Sequence, residues 1–310
     1  MVTTEEPVVT VVGSYNVGLT MTVPRFPVAG ETVTGEGFTE GPGGKGSNQA
    51  VGAARLGAES RLIARVGEDR FGEDALALYD REGVDADAVT RDGEAATGAG
   101  FVVVREDGEN EITVAPGAND RLDADDVSAA ADRITGGGAL APADTLLVGL
   151  EVPDEPVVAA VELAVEAGVP VVCNPAPARE LPEAVLEGTA VLTPNRSEAN
   201  VLTGEPPDAD TDPEAVARQL RAMGPEAVVV TLGSEGALVV ENGSVTRVEA
   251  PEVEAVDTTG AGDAFNAALA VALAAGEDPV AAARVGCRAG ALATTAREVV
   301  PALPETVEGL

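Results

Sequence analysis

Short, nearly unbroken apolar runs recur along this chain, and helical patterns separate most of them. Val8–Val12, Leu62–Val66, Thr145–Leu150, Val169–Asn174, Ala190–Thr193 and Ala227–Leu232 are such runs. Each is too short for a helix and lacks polar alternation, so each reads as a strand buried on both faces. From Ser47 the spacing turns helical through Ala50, Val51, Ala53, Ala54 and Leu56, with Gly57 as a stop. Phe71–Glu82 is a second helix. A third is capped by Asp154, runs to about Ala167 and ends at Gly168. Asp212-Pro213-Glu214 supplies the cap and first turn of a fourth, which reaches Met223. The last third is Ala-rich and helical. This alternation predicts an α/β fold: a doubly wound, mainly parallel sheet flanked by helices.

Two stretches break the rhythm. Residues 19–40 alternate, as in Thr20-Met21-Thr22-Val23 and Thr32-Val33-Thr34. Further on, Phe101–Val104 and Glu111–Val114 flank the turn dipeptide Asp107-Gly108, a hairpin signal. Together they predict a small β-sheet lid, inserted from about 15–40 and 97–115 into one domain spanning 1–310. Pro206–Pro213 reads as an acidic surface loop.

Charge narrows the partners. The chain carries 53 acidic and 19 basic residues, a formal charge of −34. Disorder does not fit, because 45% of the residues are hydrophobic and their spacing is periodic. No basic patch is available for nucleic acid or an anionic membrane. The opening MVTTEEPVVTVVGS lacks a basic n-region and a long apolar stretch, so no signal peptide is expected and a cytoplasmic location is. Cys173 and Cys287 form neither a disulfide framework nor a zinc pattern. With no histidine, acid–base chemistry falls to Asp, Glu, Lys or Tyr.

Four local motifs carry chemistry. Asp257-Thr258-Thr259-Gly260-Ala261-Gly262-Asp263 opens a helix with small residues, leaving backbone N–H groups approachable by an anion. Asp263 in its first turn suits a base acting beside a phosphoryl group, although an ordinary acidic helix start has the same pattern. Gly43, Gly44 and Gly46 surround Lys45, the only lysine, and allow close backbone approach, as would a plain turn. Thr231-Leu232-Gly233-Ser234-Glu235-Gly236 follows a buried strand, where ligands bind in open α/β sheets. Asn195 and Glu198 also follow a strand, three residues apart.

In this order the motifs resemble the ribokinase-like (pfkB-type) family of carbohydrate kinases from about Val8 to Pro304. Gly13-Ser14-Tyr15-Asn16, Gly-Gly-Lys-Gly-x-Asn, Asp107-Gly108-Glu109-Asn110, Pro116-Gly117-Ala118-Asn119 and Asn174-Pro175-Ala176-Pro177-Ala178 add to the likeness. The resemblance implies ATP-dependent phosphorylation of the primary hydroxyl of ribose or a ribose derivative. It implies Asp263 as the base and the N–H groups of Gly260, Ala261 and Gly262 as an anion hole. Asn16, Gly18, Gly43, Gly44, Lys45, Asn48 and Glu151 fall at substrate positions. Asn195, Thr231, Gly233, Ser234, Gly236 and Cys287 fall on the ATP side, with Asn195 and Glu198 near Mg2+ through water. Asp257, Thr259, Ala293, Ala296 and Glu298 fall at a potassium site built mostly from backbone. A homodimer through the lid is also implied.

Three positions depart from the family pattern. Gly18 replaces an Asp that contacts sugar hydroxyls, which raises ribose 1-phosphate as an alternative acceptor; nucleosides and other sugars stand further off. Cys287 replaces an adenine-side Asn. Glu298 and Ala302 replace Gly and Ser in the potassium loop. A catalytically dead sugar-binding protein would be expected to lack the base or the anion hole, and a nucleotide-binding oxidoreductase would be expected to carry Gly-x-Gly-x-x-Gly after the first strand.

The acidic excess and the near-absence of lysine suggest a halophile's protein, since molar salt shortens the screening length to about 3 Å and cancels self-repulsion. Thermal unfolding should therefore show a higher Tm in molar KCl than in dilute buffer. Greater stability at low salt would overturn that expectation.

Overall fold

The computed structural model describes residues 6–307. The first five residues, on which part of the signal-peptide expectation falls, lie outside them. The chain begins β1 (Val8–Val12), β2 (Asn16–Val23), β3 (Gly37–Gly43), α1 (Lys45–Arg55), β4 (Glu59–Gly67), α2 (Arg70–Glu82), β5 (Val84–Asp85) and β6 (Val89–Asp92). It continues with β7 (Gly98–Arg105), β8 (Asn110–Ala115), α3 (Ala124–Ala129), α4 (Asp132–Thr135), β9 (Thr145–Gly149), α5 (Asp154–Ala167) and β10 (Val171–Asn174). Then follow α6 (Glu183–Gly188), β11 (Val191–Leu192), α7 (Arg196–Leu202), α8 (Pro213–Ala222), β12 (Ala227–Thr231), β13 (Ala237–Glu241) and β14 (Ser244–Val248). The last helices are α9 (Ala261–Ala274), α10 (Pro279–Ala293) and α11 (Val299–Ala302).

The large sheet runs β14-β13-β12-β11-β10-β9-β1-β4-β5, with β6 also paired to β4. It is parallel from β12 to β5, and only β13 and β14 are antiparallel. Its central strands are apolar on both faces because both faces are covered. Val9 and Val11 pack with residues of α1, α2, α9 and α10. Val8 and Val12 pack with residues of α3, α5, α6 and α8. From β1 the chain proceeds outward to β4, whereas β9 to β12 proceed the other way. The carboxyl ends of β1 and β9 are therefore neighbours at a topological switch point, the place where such sheets bind ligands.

A second sheet, ordered β3-β2-β7-β8, grows out of β1 after three residues. Its outer pairs are antiparallel, and β2 pairs with β7 in parallel. The predicted 98–115 hairpin is present as β7 and β8, closed at Gly108 with φ +89°. Thr32-Val33-Thr34, expected as a strand, lies in the connection before β3. The partner of β2 is instead the Gly- and Pro-rich segment Gly37–Gly43, so Gly43 belongs to a strand and not to a turn. Pairing supplied by β2 overrides poor strand propensity there.

Three other expectations shift. The helix expected from Ser47 starts at Lys45, after Gly44 at φ +90°. Pro153, not Asp154, holds the cap position of α5, and Asp154 is its first helical residue. The β13–β14 hairpin, turned at Asn242-Gly243, was not anticipated, although Asn-Gly between apolar runs is a hairpin signal. Among the described residues no helix is long and apolar enough to cross a membrane.

Gly46 sets how closely α1 approaches β1. A Cβ there would lie 2.5 Å from Ser14 N and 2.7 Å from the Cα of Gly13, all backbone. Gly46→Ala should therefore cost about 1–3 kcal/mol, measured by urea unfolding, because the backbone itself must move. Unchanged stability would contradict this packing.

Candidate active site

Three backbone turns meet where β1 and β9 end. Glu151, two residues past β9, joins them through one carboxylate oxygen. Its Oε2 accepts from Ser14 Oγ at 2.5 Å, from the Lys45 backbone N–H at 2.9 Å and from Asn16 Nδ2 at 3.4 Å. No side chain caps α1, so Glu151 satisfies one of its free N–H groups, and the Ser14 carbonyl takes the Ser47 N–H at 2.8 Å. Asn119 fixes the start of β2 by donating to Asn16 Oδ1 at 3.0 Å and to the Tyr15 carbonyl at 2.8 Å.

Asp263 is the third residue of α9, whose cap residue Gly260 sits at φ +81° with no side-chain cap. Its carboxylate is buried. Asn48 Nδ2 donates to Oδ2 at 2.7 Å, and Gln49 Nε2 donates to Oδ1 at 3.5 Å. Burial pushes its pKa up; the Lys45 cation and the Asn48 N–H oppose this, Glu151 adds to it, and the result lies above the ordinary aspartate value. For Lys45, burial pushes the ammonium down, but Asp263, Glu151 and Glu198 together push it up and prevail. A partly buried cation thus faces three carboxylates, and it stays charged. A buried base beside a helix N-terminus and within the field of a cation can take a proton from a hydroxyl held next to a phosphoryl group.

The remaining expected residues separate into groups. Asn195 and Glu198 form a capping box on α7: Asn195 Oδ1 accepts the Glu198 N–H, and Glu198 Oε2 accepts the Asn195 N–H, both at 2.8 Å. Burial raises the Glu198 pKa, opposed by the Asn195 N–H and Lys45. The Thr231 N–H donates to the Pro194 carbonyl at 2.9 Å, so the strand ends carrying Asn195 and Thr231 lie side by side. Gly233 and Ser234 follow in a short helical turn. Gly233 and Gly262 border open space, as a backbone cradle for an anion requires. Gly236 does not: a Cβ there would lie 1.9 Å from the Val248 carbonyl, so packing against β14 demands this glycine. The Ala261 N–H already reaches the Thr258 carbonyl at 3.3 Å, so the proposed anion hole is not wholly free. Cys287 is a residue of α10 packed in the apolar core, its thiol pushed up to about 11 by burial.

Asp257 and Thr259 adjoin the 293–298 segment, with the Asp257 N–H on the Thr294 carbonyl at 3.1 Å and the Thr259 N–H on Asp257 Oδ1 at 2.9 Å. Glu298 has φ +66°, a conformation the usual Gly adopts without strain. Gly18 faces room: the nearest atom to a Cβ there is the Gly41 carbonyl oxygen at 3.5 Å.

Sequence reasoning missed Ser14 and Asn119 as tethers, and gave no role to Gln49, Asn174, Thr193 or Asn266, which lie within or beside its motifs. A usable signal existed, since these are polar residues at positions where the pattern demands apolar ones.

The pfkB family carbohydrate kinase model matches residues 7–306. Ribokinase of Haemophilus influenzae is 36% identical over 304 residues, covering 97% of each chain. Ribokinase of Bacillus subtilis is 37% identical over 282 residues, covering 91% of each. The structure of Arabidopsis thaliana ribokinase complexed with ribose and ATP superposes with a TM-score of 0.85 at 30% identity, covering 97% of this chain and 96% of that one.

The electrostatics of Asp263 can be read directly. Infrared titration of its protonated carboxyl stretch, with Asp263→Asn as the blank, should give a pKa above the ordinary aspartate value. Lys45→Met removes the cation that favours the charged form, so the pKa should rise further, by roughly one unit. An unmoved value would separate Lys45 from Asp263.

Proposed function

We propose that the chain, which belongs to the pfkB family of carbohydrate kinases, uses ATP to phosphorylate the 5-hydroxyl of ribose. The observation that carries this is Asp263: a buried carboxylate in the first turn of α9, held by Asn48 and faced by Lys45. In this reading the sugar lies between the second sheet and the carboxyl ends of β1 and β9. Asn16, Gly43, Gly44, Lys45, Asn48 and Glu151 contact it. Asp263 takes the proton as the 5-oxygen attacks the γ-phosphorus. The bond from that phosphorus to the ADP oxygen breaks, leaving ribose 5-phosphate and ADP. Backbone N–H groups at Gly260, Ala261 and Gly262 take charge from the transferring phosphoryl group.

Asn195, Thr231, Gly233 and Ser234 contribute to the nucleotide side, with Gly236 and Cys287 acting through packing. Mg2+ would neutralise charge on the β- and γ-phosphates. Its fit is a site with few protein carboxylates. Among the described residues no three His, Cys, Asp or Glu residues converge to hold a metal, and Glu198 stands as a single carboxylate in the field of Lys45 and Asp263. Mg2+ commonly takes one or two carboxylates with water and phosphate. Asp257, Thr259 and the backbone at Ala293, Ala296 and Glu298 would hold potassium. The exposed Met21, Phe38, Phe101, Ile112 and Val114 of the second sheet suit a homodimer through the lids. A cytoplasmic, salt-rich setting completes the proposal.

Ribose 1-phosphate, raised by Gly18, stands behind ribose, because relatives at 36–37% identity over most of the chain bear the name ribokinase. Mg-ATP with ribose in molar KCl should release ADP. Asp263→Asn should lower kcat by about 10²–10⁴-fold while ribose binding survives. No turnover by the unaltered chain, or a substantially active Asp263→Asn, would sink this reading.

A further inference from the structure

Behind the reacting groups lies a second layer of polar side chains that the proposed chemistry does not use. Gln49, Asn174, Thr193 and Asn266 are each at most 5% exposed. Buried polar groups cost stability unless paired, so such a group needs a reason. Their hydrogen bonds run in one direction. Gln49 Nε2 donates to Asn174 Oδ1 at 3.0 Å. Asn174 Nδ2 donates to the Thr193 carbonyl at 3.4 Å. Thr193 Oγ1 donates to Asn266 Oδ1 at 2.5 Å, and Asn266 Nδ2 donates to the Gly262 carbonyl at 2.8 Å. Gln49 Nε2 also reaches Asp263 Oδ1 at 3.5 Å. The chain of bonds leaves Asp263 and returns to the residue beside it.

One atom is left out. Gln49 Oε1 is buried and has no partner. Turning the amide over would place that oxygen against two acceptors, Asn174 Oδ1 and the Asp263 carboxylate. The orphaned carbonyl is the cost of aiming the N–H groups at both.

We infer that Gln49 is a positioning residue: through this ring it keeps the Asp263 carboxylate in register with the Gly262 turn that faces the phosphoryl group and favours its charged form. Asp263 also meets Lys45 from α1, Glu151 after β9 and Glu198 from α7. Those three set a large field, and Gln49 supplies a directed donor on the oxygen that Asn48 leaves free. Burial leaves the Asp263 pKa above the ordinary aspartate value, and the Gln49 hydrogen bond, after Lys45 and Asn48, works against that rise.

The inference rests on Asp263 as the base, and its test separates the two. Gln49→Met keeps length and loses both donors. It should lower kcat about ten- to a hundredfold with KM for ribose little changed. The acid limb of kcat should move up by roughly half to one pH unit, since the charged form of Asp263 loses a hydrogen bond. Gln49→Glu, of nearly equal volume, decides if Gln49→Met does not fold; a carboxyl beside Asp263 should move the limb up further. Infrared titration of Asp263 in the same variants reads the shift without turnover, so it decides even if ribose is not the substrate. An unmoved Asp263 pKa, or unchanged kcat, or a loss confined to KM, would overturn the positioning role.

Discussion

The site depends on one cation among carboxylates. Lys45 faces Asp263, Glu151 and Glu198, and their combined pull outweighs the burial that would strip its proton. The dependence is mutual: Asp263 is buried and would be forced toward its neutral form without a positive charge nearby. In a chain with 53 acidic residues and a single lysine, a cation in this place is costly to lose. Arginine would not substitute well, because its planar fork is a larger group than the compact ammonium that lies in the field of these carboxylates.

The fold brings these groups together by placing helix starts at strand ends. Lys45, Asn48 and Gln49 come from the first turns of α1, pressed onto the end of β1 by the absence of a side chain at Gly46. Glu151 follows the adjacent strand, and Asp263 arrives on α9 from far along the chain. Glu151 ties the switch point to α1 and to the root of the second sheet with a single oxygen. The sheet that would cover a sugar is thus anchored to the same carboxylate that faces Lys45.

How much was legible follows from range. The strand–helix rhythm and the hairpin at Asp107-Gly108 are local patterns, and the structure contains them. Thr32–Thr34 failed as a strand because alternation alone does not supply a partner, while Gly37–Gly43 succeeded because β2 does. Glu198 read as a metal-side residue, yet one of its oxygens serves the helix cap. Gly236 read as a ligand glycine, yet β14 claims its space. The ring through Gln49, Asn174, Thr193 and Asn266 was invisible for a different reason. Its members lie far apart in the chain, so no spacing rule connects them, and only the convergence of strand ends reveals it.

In the proposed reaction this arrangement deprotonates one hydroxyl, the 5-hydroxyl of ribose, beside the phosphoryl group of ATP. The most direct measurement is the position of phosphate in the product, read by phosphorus–proton coupling in NMR after reaction with ribose and Mg-ATP. Coupling of the phosphorus to the C5 protons is the predicted result. Phosphate on any other carbon, or no phosphorylated sugar at all, would contradict the account.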